Sequence, residues 1–250
     1  KVIVVENSKN TNFKNKIERN YSNVECILAG DNLGYAKGNN LGLSKVTTNY
    51  ALILNPDAKL ENNTLDNFLI SADKVKDFCI IGPAKQDEYS STDKYLDKGN
   101  LFEVDYLKGF AMFLNLKQFN DIGFFDENFF IYFEEIDLCK RLRKLGKKIY
   151  LDPQILIEHK GGSSHNKSIN FQMELSRNWH WMWSTFYYKK KYQGFILALM
   201  LVSPKLISAV FKYTLFSLIN NKEKRQIYFH RFSGLINAIK GSQSWYRPKV

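Results

Sequence analysis

Cysteine is scarce: Cys26, Cys79 and Cys139 stand far apart in 250 residues, with no paired spacing. That pattern argues against a disulfide framework and a zinc site, and for a reducing, cytoplasmic compartment. Low-complexity tracts are missing too, and at 44% hydrophobic residues the chain can bury a sizeable core as one domain with an appendage. The uncharged stretch from Tyr192 to Pro204 falls short of the ~20 residues that a membrane span needs. Acid is nearly absent from the C-terminal third. Of 36 Lys+Arg and 25 Asp+Glu, residues 170–250 hold 13 and 2, so the whole excess behind the net charge of +11 lies there. Such a segment meets nucleic acid or an anionic membrane surface, and apolar and aromatic residues accompany the charge.

What is present is β-rich runs alternating with helical patterns. Val2–Val5, Val24–Leu28, Ala51–Leu54 and Cys79–Ile81 read as strands, and Ala36–Lys45 and Thr64–Lys74 as helices. This punctuation predicts an α/β fold with a mainly parallel sheet flanked by helices. Gln86 to Asn100 is polar and acidic, which predicts a loop over a cleft. A short strand at Ile149–Leu151 precedes Asp152-Pro153. In the C-terminal part, Ser203-Pro204 reads as a helix cap with proline at the first helical position. Lys205, Ser208 and Lys212 then make a narrow polar stripe on an apolar helix, the pattern of a helix lying in a membrane interface. The alternative is a helix buried against the rest of the chain or in a dimer.

Four stretches carry candidate chemistry. In ALILNPD an apolar strand ends at Asn55-Pro56-Asp57, so proline holds a lone carboxylate on a stiff turn at a strand end, where α/β proteins bind ligands. An ordinary strand-ending turn has the same composition. Glu134, Glu135 and Asp137 open a helix whose apolar stripe is Ile136, Leu138, Leu142 and Leu145. Acids there also suit the helix dipole, and Asp137 with Arg141 is an ordinary i,i+4 pair. In NLGYAKGNN, residues 32–40, Gly34 and Gly38 flank a helix opening whose amides suit a diphosphate or its sugar, although glycines are frequent in such turns. His159, in LIEHKGGSS, can complete a metal site with Asp57 or serve as a loop hydrogen-bonder, and His165 competes for either role.

Taken together, NLGYAKGNN, LNPD, GFFDENFFIYFEEIDLCKRLRKLG and EHKGGSS, in this order over most of residues 1–185, resemble the motifs of inverting glycosyltransferase family 2. The likeness is to its rhamnosyltransferase-like bacterial branch, which implies the GT-A fold, a Rossmann-like nucleotide-diphospho-sugar transferase architecture. VVENS at 4–8 looks like the family's VVDNS element, so the resemblance implies that Glu6 and Asn7 face the nucleotide base and ribose. Asn32, Gly34, Gly38, Asn39 and Asn55 would join them in donor binding. Asn55-Pro56-Asp57 matches the variant DXD motif, in which Asp57 would coordinate Mg²⁺ or Mn²⁺ at the donor diphosphate, with His159 at the metal or diphosphate. Glu134-Glu135 aligns with a Glu-Asp pair whose second acid is the catalytic base. Glutamate replaces aspartate at Glu135, so Glu134 and Asp137 remain alternatives for the base.

The resemblance implies a catalytic domain over 1–169 and a basic, aromatic, amphipathic helical region over 170–250. The chain starts at what looks like the family's second strand, so the first βα unit is expected to be absent. The implied function is metal-dependent, inverting transfer of a sugar, from dTDP-rhamnose or else a UDP-hexose, onto a lipid-linked bacterial surface glycan. The enzyme would then sit peripherally on the inner face of the cytoplasmic membrane. A catalytically inactive sugar-nucleotide or glycan-binding module is the rival within this fold. A nucleic-acid-binding role, suggested by pI ≈ 9.4 and by tryptophans among basic residues, lacks a recognised motif.

Overall fold

The computed structural model describes residues 1–85, 100–159 and 169–248. The loop expected over residues 86–99 lies outside the described residues, as do 160–164 of the EHKGGSS motif and His165. The described chain divides into two compact units, one of residues 1–38, 126–134 and 169–248, the other of 39–85, 100–125 and 135–159.

In the first unit, β1 (Val2–Glu6) and β2 (Val24–Leu28) pair in parallel, from Val2↔Val24 to Glu6↔Leu28. The crossover between them is α1 (Thr11–Asn20), absent from the sequence expectation. The Asn10 side chain caps it by accepting from Phe13 N at 3.0 Å. Glu18 ties it to the sheet by accepting from Cys26 N at 2.8 Å. Three long helices complete the unit: α5 (Asn170–Gln193), α6 (Phe195–Leu218) and α7 (Lys222–Ile239). Their shared core sets Trp179, Met182, Trp183 and Phe186 of α5 against Ala198 and Val202 of α6 and Leu235 and Ala238 of α7. A Cβ at Gly234 would lie 2.2 Å from the Trp179 carbonyl oxygen, so glycine is what lets α7 approach α5.

The helix expected to begin at Ser203-Pro204 instead runs unbroken from Phe195 to Leu218 with Pro204 inside it. Proline removes the N–H that would serve the Met200 carbonyl. The Ser203 hydroxyl donates to that oxygen at 2.8 Å, which supplies the missing bond locally. At 24 residues, with mean hydropathy 1.8 over 18 of them, α6 is by length and composition long and apolar enough to cross a membrane, which the shorter run read from the sequence was not. Ala198, Val202 and Ala209 are its buried residues, whereas Ile196, Met200, Ile207, Phe211 and Leu218 are exposed.

The second unit is built on a six-stranded sheet of β3 (Tyr50–Leu54), β4 (Ala58–Leu60), β5 (Phe78–Lys85), β6 (Phe102–Glu103), β7 (Ala111–Asn115) and β8 (Lys148–His159). The strand order is β3-β7-β5-β8-β4, with β6 also on β8. The architecture is α/β as expected, but the sheet is not mainly parallel. Only β5–β8 runs parallel here, while β3–β7, β5–β7, β4–β8 and β6–β8 are antiparallel. Alternation of strands and helices predicted crossovers throughout; instead β7 returns between β3 and β5, and β4 turns back onto β8. Phe113, Phe78 and Phe68 stack in the core, with the exposed Tyr50 ring against Phe78 and Phe113 at the edge strand, centroids lying 5.1 to 5.9 Å apart, and α3 (Thr64–Lys74) contributes Phe68 and Ala72.

The short strand expected at Ile149–Leu151 is a 12-residue strand that continues through Asp152-Pro153. Pro83 pairs with Asp152 and Ala84 with Leu156, so the intervening residues bulge out, and proline is tolerated there. Asp152 stabilises the bulge by accepting from Gln154 N at 2.8 Å and from the Ser71 hydroxyl. Beyond it the strand pairs with β4, placing His159 at its end opposite Ala58.

Candidate active site

The Asn55-Pro56-Asp57 turn is closed from both sides. Asn55 N donates to Phe110 O at 2.8 Å, and Asn55 O accepts from Ala58 N at 3.0 Å. Because Ala58 pairs with His159, the turn carries Asp57 to the imidazole: His159 Nε2 lies 3.2 Å from Asp57 Oδ1 and 3.4 Å from Asn55 Nδ2. Phe110 stacks on the ring at 4.7 Å and 8°, fixing its plane. The two side chains are 9% and 15% exposed.

This pair fits a hard divalent cation. Ligands at adjacent corners of an octahedron with bonds near 2.1 Å stand about 3.0 Å apart, close to the observed 3.2 Å. Among the described residues no group of three or more His, Cys, Asp or Glu gathers around a metal position. Two protein ligands suit Mg²⁺ or Mn²⁺, which fill the remaining positions with water and substrate phosphate, better than a structural zinc.

Glu134, Glu135 and Asp137 open α4 (Glu134–Lys144), as read from the sequence, and differ in surroundings. Asp137 is fully buried and accepts from Arg141 Nε at 2.9 Å. The same guanidinium donates to Ile122 O at 3.1 Å and to Phe124 O, so this pair pins the preceding loop. Glu134 is also buried, at 4%. Like Glu134 Oε2, Glu135 Oε2 is buried and makes no hydrogen bond among the described residues. Burial pushes its carboxyl above the usual range, while the backbone N–H groups of Glu135 and Ile136 at the helix start pull the other way.

The glycine-rich stretch opens α2 (Gly34–Leu43). Gly34 has φ +77° and a Cβ there would lie 2.3 Å from Phe130 O, while Tyr35 N donates to that oxygen at 2.7 Å. Asn7 clamps the same turn, accepting from Leu33 N at 2.9 Å and donating to Gly34 O at 3.2 Å. Asn32 Oδ1 accepts from Gly34 N at 3.1 Å, and Arg247 Nε donates to Asn32 O at 3.1 Å with its guanidinium 3.8 Å over the Phe130 ring. Gly38 lies where a Cβ would meet Asn7 at an ordinary 3.7 Å, and Asn39 follows it on α2. Glu6 accepts from the Ser8 hydroxyl at 2.5 Å.

Sequence reading missed Phe110 and Arg247. Arg141 was visible as the i,i+4 partner of Asp137, and its loop contacts were not. Phe110 had only its place before an apolar run as a signal, and Arg247 had none.

The α/β chain, whose Asn-Pro-Asp turn brings the Asp57 carboxylate to the His159 imidazole at the end of β8, has the fold of the GT-A glycosyltransferases. A mannosyltransferase from Pyrobaculum calidifontis, solved with GDP-Man and Mn²⁺, superposes with a TM-score of 0.59 at 11% identity, covering 97% of this chain and 79% of that one. No protein-family model matches the chain. Three curated relatives are glycosyltransferases by name. The low-salt glycan biosynthesis hexosyltransferase Agl10 of Haloferax volcanii is 26% identical over 57% of this chain and 53% of its own length. The chain thus spans about half of that relative. Rhamnosyltransferase WbbL of Escherichia coli is 23% identical over 74% of this chain and 81% of its own. The N-acetylglucosaminyl-diphospho-decaprenol L-rhamnosyltransferase of Mycobacterium tuberculosis is 22% identical over 65% and 67%. The rhamnosyltransferase-like resemblance and the GT-A fold read from the motifs therefore stand.

Proposed function

We propose that the chain is a metal-dependent glycosyltransferase that moves a sugar, with inversion, from a nucleoside diphosphate donor to a hydroxyl of a lipid-linked saccharide. The observation that carries this reading is the Asp57–His159 pair, 3.2 Å apart where the turn after β3 meets the end of β8 in a GT-A fold. Two rhamnosyltransferases among the relatives favour dTDP-rhamnose as donor, with UDP-hexoses next. The mycobacterial relative's name favours a lipid diphosphate saccharide as acceptor.

Asp57 and His159 would hold Mg²⁺ or Mn²⁺, with Asn55 orienting the imidazole. When bound, the cation neutralises charge growing on the leaving diphosphate. Glu135 accepts the proton of the acceptor hydroxyl as that oxygen bonds to the anomeric carbon. The bond from that carbon to the phosphate oxygen breaks on the opposite face, and the nucleoside diphosphate leaves with the electron pair. A carboxyl raised by burial is a stronger base for this task than an exposed one. Glu134 and Asp137 are the other acids at this helix start, and the Arg141 pin makes Asp137 the less mobile of the three. Glu6, Asn7, Asn32, Gly34, Gly38 and Asn39 are proposed for the nucleoside and its phosphates. The exposed face of α6, with the basic charge of residues 170–250, is proposed to hold the chain on the anionic inner face of the cytoplasmic membrane.

Two substitutions test the reading in opposite ways. Glu135→Gln should lower turnover by roughly 100- to 10,000-fold with donor affinity nearly unchanged. Asp57→Asn should weaken Mn²⁺ and donor binding together, read by calorimetry. Normal turnover in the first, or normal metal-dependent donor binding in the second, removes that residue from its role.

A further inference from the structure

The helical unit holds an open cleft of about 440 Å³ lined by Tyr132, Glu174, Arg177, Asn178, Trp181 and Arg231. We propose that this cleft binds the diphosphate-linked sugar end of the acceptor, an inference that rests on the transferase reading above. Arg177 is half-buried and donates to no group among the described residues. Arg231 is held from two sides, its Nε donating to Asn178 Oδ1 at 2.8 Å and its guanidinium lying 5.6 Å from the Tyr228 ring centre. Asn178 is fixed in turn by donating to Glu174 O at 2.9 Å. Two guanidinium groups against one exposed carboxylate select an anion, and their planar forks match phosphate oxygens.

The other side of the cleft is aromatic. Trp181 is 40% exposed and meets the rings of Tyr132 and Phe133, each at 5.3 Å. Tyr132 and Phe133 have φ of +72° and +71°, which bulky residues rarely adopt. Two consecutive left-handed residues persist only where packing overrides the local preference, and such strain gathers at ligand clamps. Here the Trp181 contacts and the bond from Ser184 Oγ to Ile131 O, at 2.9 Å, hold them. An exposed indole face offers the C–H face of a pyranose a stacking surface, and the arginines offer its phosphates a charge match. The same unit exposes the apolar face of α6, so a ligand with a sugar, a diphosphate and an apolar tail matches three features of one unit.

Calorimetric titration of the full chain without donor, using N-acetylglucosaminyl-diphospho-farnesol as probe, tests the site apart from the reaction. Arg177→Ala should weaken the probe by roughly 10- to 100-fold, and Arg177→Lys, which keeps the charge but loses the fork, by less. Trp181→Ala should weaken the probe and leave inorganic diphosphate unaffected. Mn²⁺-dependent binding of nucleotide sugar should be the same in all three variants as in the parent. Unchanged probe affinity in Arg177→Ala overturns the proposal. Equal loss of nucleotide-sugar binding overturns it too, because the cleft would then serve the donor. Inorganic diphosphate binding as tightly as the probe would make it a site for free phosphate. A chain that binds the probe through Arg177 yet transfers no sugar would refute the transferase reading and leave the site standing.

Discussion

Glu135 pits stability against function within one side chain. Burial raises its carboxyl, so the neutral form is favoured by the fold; that stability is present at low pH and lost as pH rises through the raised pKa. A base must be ionised, so transfer should fall as pH drops through the same value, placing the acid limb of kcat/KM above the ordinary glutamate range near pH 4.5. Glu135→Gln should therefore raise the melting temperature at neutral pH while it lowers turnover. A purely structural acid serving the helix dipole would give a lower melting temperature, and that result would count against the catalytic assignment. Gly34 is constrained for a different reason, its positive φ and the Phe130 carbonyl beside it. Gly34→Ala should cost about 2 kcal/mol or more in urea unfolding, from the left-handed backbone and the clash together. An unchanged midpoint would mean that the turn yields without cost.

Among elements, α6 carries the clearest expectation. Its buried face is narrow, and Ile207 and Phe211, at 68% and 64% exposure, lie on the face turned away from α5 and α7. Liposomes containing anionic lipid should float the full chain, and Ile207→Glu with Phe211→Glu should release it without loss of folding. Flotation unchanged by the pair would refute attachment through α6. How legible each element was follows from what stabilises it. Val24–Leu28 and Thr64–Lys74 were read with their observed bounds because their patterns are local. α1 was missed because Phe13 and Ile17 are its sole large apolar residues and its attachment runs through Glu18 to Cys26. The direction of β7, the bulge in β8 and the full length of α6 depend on partners distant in sequence or on one hydroxyl, Ser203, repairing a proline break. Asp57, His159 and the acids of α4 were legible as motifs; the ring of Phe110 that orients His159 was not.

At the scale of the whole molecule, the buried residues set its response to acid. His180 is fully buried, with its ring nitrogens 2.9 Å from Ser244 Oγ and 2.8 Å from Tyr246 O, and burial lowers its pKa to about 3. Its stabilising contribution is complete above pH 6.5 and is lost as pH falls from 6.5 towards 3, because the unfolded chain takes up the proton first. His230 is shifted in the same direction by burial. Unfolding free energy should accordingly decline between pH 6.5 and 4, with a smaller slope in His180→Gln; an equal slope would place the acid sensitivity elsewhere. The three cysteines are free and buried, and burial pushes the Cys79 and Cys139 thiols up to about 12, so the folded protein should resist thiol alkylation.

The most direct test of the central claim is release of nucleoside diphosphate from a panel of dTDP- and UDP-sugars, with Mn²⁺ or with chelator, in the presence of lipid-linked acceptor. Acceptor-dependent release from one donor, abolished by chelator and by Asp57→Asn, is the expected result. Release that is indifferent to metal would contradict the role given to Asp57 and His159. Binding of a donor without release would make the protein a sugar-nucleotide-binding module.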